Sequence, residues 1–180
     1  MVYLRARQFG DPVLRTPAKL LSKDEILSSE IQQLIADMKT TIEGREYGVG
    51  LAAPQIGKSV AISVISVKPT PSRPKNPTIG FVIINPKIIK AFGSRTGLWE
   101  GCVSFGGTRN FPYAKALRYK KVQVEYLDEN AKKHTKIFDD ILAHVLQHET
   151  DHLNGVLFVD KVRDTKTYMT VSEYKKRMVQ

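Results

Sequence analysis

Cysteine is all but absent from this chain: its 180 residues hold one, Cys102. A lone cysteine cannot close an internal disulfide, which excludes a disulfide-stapled secreted scaffold and suits a reducing compartment. Long apolar runs are missing too. Stretches such as Val60–Val67 fall far short of the roughly 20 apolar residues that cross a bilayer, and the N-terminus shows no apolar signal-peptide core. No membrane association is expected. Cytoplasm is the simplest placement, or an organelle lumen if a transit peptide was removed. Internal repeats and low-complexity tracts are absent. Gly48-Val49-Gly50 does not open a dinucleotide fingerprint, because Ala53 stands where the third glycine belongs. Acidic residues are outnumbered, 18 against 28 basic, for a formal net charge of +10 and a pI ≈ 9.7. That balance favours anionic partners and non-specific attraction to nucleic acid, with no specific DNA recognition expected.

What is present fits one globular domain over residues 1–180, with a basic tail from about 161–180: 42% of residues are hydrophobic and 26% charged. The layout reads as α+β. Ser22-Lys23-Asp24-Glu25 forms a capping box, and Leu27, Ile31, Leu34, Ile35, Met38 and Ile42 recur at helical spacing, predicting one helix that ends near Gly44. Val60–Val67 and Gly80–Phe92 read as strands flanking a proline-rich loop at Pro69–Pro77. Lys121–Leu127 alternates and should pair with Lys133–Phe138 across Asp128-Glu129-Asn130. A last helix should start at Asp139 or Asp140 and stop at Asn154-Gly155.

That last helix carries His148-Glu149-Thr150-Asp151-His152. Residues i and i+4 share a helix face, so both imidazoles can reach one cation. Glu149 lies about 100° further round, beside the cation and placed to take a proton from an activated water. This H-E-x-x-H pattern points to metal-assisted hydrolysis, which needs a third protein ligand. Cys102, in Glu100-Gly101-Cys102-Val103-Ser104, is that candidate; its alternative is a small buried hydrophobe. The constrained loop Gly48–Gly57 offers Gln55, whose amide suits a substrate oxygen.

Together these three segments resemble those of the peptide deformylases, in order and spacing, as do Asp11-Pro12-Val13-Leu14-Arg15 and Leu157-Phe158-Val159-Asp160. The resemblance runs from about Gln8 to Lys161. It implies sheets, mixed or antiparallel, packed around a central metal-binding helix. It also implies removal of the N-formyl group from the formyl-methionine of nascent polypeptides, with release of formate. Cys102, His148 and His152 become ligands of one divalent ion, Fe2+ by family habit, with Zn2+, Ni2+ or Co2+ able to substitute. Glu149 becomes the catalytic carboxylate, Gln55 and the Val103 N–H the oxyanion donors, and Gly50 a contact for substrate backbone. Val49, Leu98, Ile141 and Val145 are positioned to line a methionine pocket. Arg109 sits where some relatives carry a substrate-contacting arginine.

The chain departs from the family pattern in two places. Val103 replaces the usual leucine, with little consequence for a role played by backbone. After Ser104 the usual proline gives way to Phe105-Gly106-Gly107, in a loop that runs longer. His144, one turn before His148, is displaced by about 6 Å along the axis; the pocket rim or solvent suits it better than ligation. His134 reads as surface. Val171, Tyr174 and Met178 give the tail helical spacing, with Lys175, Lys176 and Arg177 beside them, so it either contacts ribosomal RNA or docks on its own domain. An amidase acting on another N-acyl group, and a non-catalytic metal-bearing ribosome-surface protein, are the competing readings. The second is disfavoured by the presence of all five key residues.

Overall fold

A computed structural model describes residues 4–44, 48–69, 76–106 and 112–178. The capping box forms: Ser22 Oγ accepts from Glu25 N–H at 3.2 Å, and the Glu25 carboxylate accepts from Ser22 N–H at 2.7 Å. The helix it starts is short, however. Helix α1 spans Lys23–Leu27 and a separate α2 spans Ser29–Glu43. Ser28 makes the break. Its backbone is extended (ψ 149°), and its hydroxyl accepts from Ile31 N–H, capping α2. Serine offers the backbone this alternative to continued helix. Leu27, expected on the apolar face, is instead 57% exposed, whereas Ile31, Ile35, Met38 and Ile42 are buried.

Strands β1 (Gly50–Ala52), β2 (Ile62–Val67), β3 (Ile79–Gly101), β4 (Pro112–Leu127) and β5 (Lys133–Asp139) form one antiparallel sheet in that order. The near-continuous apolar run of β2 has a simple cause: both of its faces are covered. Ile62 and Val64, with Val82 and Ile84 opposite them, pack under α2. Ile65 and Val67, with Ile83, Val122 and Val124, pack under helix α3 (Asp140–Leu153) through Ala143, Val145 and Leu146. Alternation along each strand assigns its residues to the two layers.

β3 and β4 extend well past the expected Gly80–Phe92 and Lys121–Leu127. Their register slips between Ile84 and Lys87, between Ile88 and Lys90, and between Phe92 and Arg95. Such bulges break the period-2 pattern and bend the strands, which hides the extension from a periodicity reading. Asn85 occupies one bulge at φ 51°, and its amide pairs with both the N–H and the C=O of Leu21. The bend lets the near half (Val122, Val124) and the far half (Glu100, Arg118) of the strand pair both reach α3.

Asp139 caps α3 by position, with no side-chain cap bond, and Asn154 ends it. Gly155 follows at φ 70°, where a Cβ would lie 2.5 Å from the Arg15 carbonyl oxygen. The tail returns to the sheet: β6 (Met169–Thr170) pairs with β4, and α4 (Val171–Met178) follows. Tyr174 of α4 stacks on Tyr113 at 4.2 Å and meets Trp99 edge-on. No helix among the described residues is long and apolar enough to cross a membrane.

Candidate active site

Two elements distant in sequence supply three converging donor atoms. α3 presents His148 and His152 on one face, and Cys102 follows directly on the end of β3. His148 Nε2 and His152 Nε2 are 3.1 Å apart, and Cys102 Sγ lies 3.3 Å from His152 Nε2. Donor atoms of all three residues lie within 4.8 Å of one another. His148 Nδ1 is committed to Glu100 Oε1 at 2.5 Å. A neutral His148 therefore turns a lone pair on Nε2 toward the other ring. His152 Nδ1 has no partner among the described residues; with the proton there, its Nε2, the His148 Nε2 lone pair and the Cys102 sulfur make a donor set that fits a cation.

The electrostatics agree. Burial pushes the Cys102 thiol up, but the His152 and His148 rings carry it well below its ordinary range. Burial opposes charge on His148, yet the Glu100 carboxylate raises it well above the usual imidazole value. A thiolate and a carboxylate flank the rings, and both favour positive charge between them.

Glu100 organises the surroundings and accepts four hydrogen bonds. Arg118 donates through Nε and Nη2 at 2.9 and 2.7 Å, His144 Nε2 lies at 2.8 Å, and His148 is the fourth. Four bonds fill a carboxylate's accepting capacity, two per oxygen. Burial would raise Glu100, but His148, Arg118 and His144 hold it well below the carboxylate range. Arg118, itself buried, also reaches Asp151. This shell orients a prospective ligand ring from behind. His144 is thus neither ligand nor solvated rim: it is a partner of Glu100. Arg118 escaped the sequence reading because β4 was begun at Lys121. With the strand started at Pro112, Arg118 falls in phase with the inward-facing Ala114 and Ala116, and a charge at such a position marks a buried network.

Gln55 sits in a 3-10 turn, Ala53–Ile56, just after β1. Ala52 N–H donates to its Oε1 at 2.8 Å, which turns Nε2 toward Cys102 Sγ and Ser104 Oγ, each at 3.3 Å. Cys102 C=O accepts from Phe105 N–H at 3.0 Å. Val103 is the second residue of that turn, and its N–H takes no part in the closing bond. Glu149 is buried, and burial pushes its carboxyl up. Its Oε2 has no hydrogen-bond partner among the described residues. Gly50 lies against it so closely that a Cβ would come 2.2 Å from Glu149 Oε1. Ser66 N–H donates to Val49 C=O, so in the antiparallel ladder the backbone of Gly50 faces away from β2, toward the open side of the outermost strand.

Of the expected pocket residues, Val49, Ile141 and Val145 share one apolar cluster under α3, and Leu98 is not part of it. Leu98 lies on β3 opposite Ala116, one step along the inner face from Glu100. Arg109 falls outside the described residues. His134, read as surface, is partly buried: it bonds Asp128 at 2.7 Å and stacks on Tyr126. Sequence proximity hid that partner, because the β4–β5 turn folds Asp128 back over six residues. A cavity of about 490 Å³ lined by Lys39, Phe81, Tyr126 and His134 holds none of the expected site residues.

Comparison with known proteins bears on the family and the fold. The polypeptide deformylase family model matches residues 4–168. A peptide deformylase of Leptospira biflexa is 37% identical over 170 residues, spanning 93% of this chain and 92% of that protein. One from Microchaete diplosiphon is 40% identical over 164 residues, spanning 91% and 81%. A Met-Ala-Ser-bound class I type b peptide deformylase of Acinetobacter baumannii superposes with a TM-score of 0.82 at 31% identity, covering 89% of this chain and 99% of that one. An actinonin complex of the Synechococcus elongatus enzyme gives 0.78 at 36% identity, covering 97% and 85%.

Proposed function

The chain belongs to the polypeptide deformylase family, and from that premise we propose how its own residues divide the work. The reaction is metal-dependent hydrolysis of the N-terminal formyl amide of nascent polypeptides, giving formate and a free methionyl amine. We assign Cys102, His148 and His152 as the metal ligands, on the convergence of one thiolate and two imidazoles within 4.8 Å. That single observation carries the reading. A divalent ion bound there supplies Lewis acidity and makes water nucleophilic near neutral pH. Ferrous iron is our choice of native ion, with zinc, nickel or cobalt as substitutes, since a mixed thiolate–imidazole set accepts all of them.

Glu149 takes the proton of the attacking water and returns it to the leaving amine. Burial supports this role by holding its carboxyl nearer neutrality. Gln55 Nε2 and the Val103 N–H donate to the formyl oxygen as it gains charge. The outward backbone of Gly50 pairs with the extended substrate, as a strand edge can. Val49, Ile141 and Val145 receive the methionine side chain, with Leu98 at its margin. The Acinetobacter relative with Met-Ala-Ser bound supports a site that takes a peptide beginning with methionine. We place the protein in the cytoplasm, consistent with its free thiol, and propose that its basic tail touches ribosomal RNA while nascent chains are processed.

Formate release from formyl-Met peptides, assayed anaerobically beside metal analysis, tests the assignment. Glu149→Ala should retain the ion and lose turnover, and Cys102→Ala should lose the ion. Full turnover by metal-loaded Glu149→Ala protein would remove Glu149 from the mechanism.

A further inference from the structure

The outer face of the β3–β4 pair carries a row of aromatic rings, each covered by a cation. Lys90 Nζ and Lys121 Nζ lie 5.0 and 5.7 Å from the Phe92 ring centre, the Arg95 guanidinium 5.1 Å from Tyr119, and Lys115 Nζ 5.3 Å from Trp99. The pairs are also direct cross-strand neighbours: Phe92 with Lys121, Arg95 with Tyr119, Trp99 with Lys115. The bulge between Phe92 and Arg95 keeps them in phase. Along β4, Lys115, Tyr119 and Lys121 alternate with the inward-facing Ala116, Arg118 and Val122, and the half-buried Tyr119 also packs against the apolar cluster under α3. Between the second and third pairs stands Gly97, opposite Leu117, and the Lys115 chain lies across it, 3.3 Å from where a Cβ would stand.

We propose that this strip is a docking surface for single-stranded RNA. Its cations are unpaired: among the described residues, Lys90, Arg95, Lys115 and Lys121 make no ion pair. Of the carboxylates nearby, Glu125 is matched by Lys133 at 2.8 Å, and Asp139 stands cross-strand from Lys121 with no ion pair between them. In the tail, by contrast, Lys176 and Arg177 are both paired with Glu173. Alternating rings and cations are what a flexible strand of nucleotides recognises, since bases stack on rings and guanidinium planes while phosphates take the cations. From Phe92 to Trp99 the row runs about 20 Å, enough for about four nucleotides. α4 abuts its far end through Trp99 and Tyr174, and Cys102 lies three residues beyond Trp99. RNA on this strip would therefore lie next to the catalytic end of the strand pair. Anionic lipid would supply the charge but leave the in-phase row of rings unexplained.

The proposal is independent of the catalytic assignment and is tested without turnover. Anisotropy of a fluorescein-labelled oligouridine of about twelve nucleotides, titrated with full-length protein at several salt concentrations, should show saturable binding. Lys90→Ala/Arg95→Ala/Lys121→Ala should weaken it by about tenfold or more and lower the salt slope by about 2. Phe92→Leu should weaken it severalfold with the slope unchanged. Both variants should keep wild-type circular dichroism and wild-type formate release from a short peptide, which separates a lost surface from a lost fold. Absence of binding by the wild type, or equal affinity of the triple variant, would overturn the proposal. So would a loss confined to Lys175→Ala/Lys176→Ala/Arg177→Ala, or anionic vesicles binding as tightly as RNA with Phe92→Leu silent.

Discussion

At the scale of single residues, the site is governed by how closely atoms are packed. Gly50 has an ordinary backbone conformation, so its need for glycine comes from Glu149, whose Oε1 occupies the space of a Cβ. Gly50→Ala should therefore push the carboxylate aside. Formate release should fall by about a hundredfold or more, within the range of lost acid–base catalysis, while metal analysis shows full occupancy. Gln55 is held by Ala52 N–H at one end and aimed at sulfur by the other. Gln55→Ala should lower kcat by about 100- to 1000-fold, the usual effect of removing an oxyanion donor. Substrate KM should change far less, because the lost bond strengthens only as charge develops. A purely KM effect in steady-state kinetics would rule out that role.

At the scale of elements, the decisive contact is between α3 and the far half of β3–β4. It is polar where a core would normally be apolar: Arg118 lies between Glu100 and Asp151 with its side chain 3% exposed. Removing one member of a buried ion network leaves the others desolvated and unpaired, at a cost of about 3–5 kcal/mol. Arg118→Leu should show that loss in denaturant unfolding. It should also weaken metal retention by about 10- to 100-fold against a competing chelator, since Glu100 would no longer be fixed behind His148. Stability lost with metal affinity unchanged would make the network structural only. The same elements show why the sequence was partly opaque. The β4–β5 hairpin and α3 were legible because their periods are unbroken. The outer halves of β3 and β4 were not, because three register slips erase alternation, and the single helix expected after Ser22 is two because Ser28 caps its own successor.

At the scale of the whole molecule, the proposed metal ties the end of the sheet to α3. A ligand that binds only the folded state stabilises it by RT ln(1 + [L]/Kd), about 4 kcal/mol at a thousandfold excess over Kd. Stripping the ion with a chelator should lower Tm by several degrees, and readdition should restore it, as read by differential scanning calorimetry. The effect should vanish in Cys102→Ala protein. The tail belongs to the same body in a limited sense: β6 pairs with β4, and Tyr174 rests on Tyr113, so its helix is held against the sheet.

The sequence by itself determined the chemistry. H-E-x-x-H at one-turn spacing, one cysteine and one glutamine in a glycine-rich loop name the proposed reacting groups, because ligand type and helix period are local properties. Only the tertiary structure decided what surrounds them. Glu100, His144, Arg118 and Asp151 meet because bulged strands bend back onto a helix. The strip of rings and cations lies on one face because a bulge restores the phase. Bends and register arise from packing between segments far apart in the chain, and no local pattern encodes them.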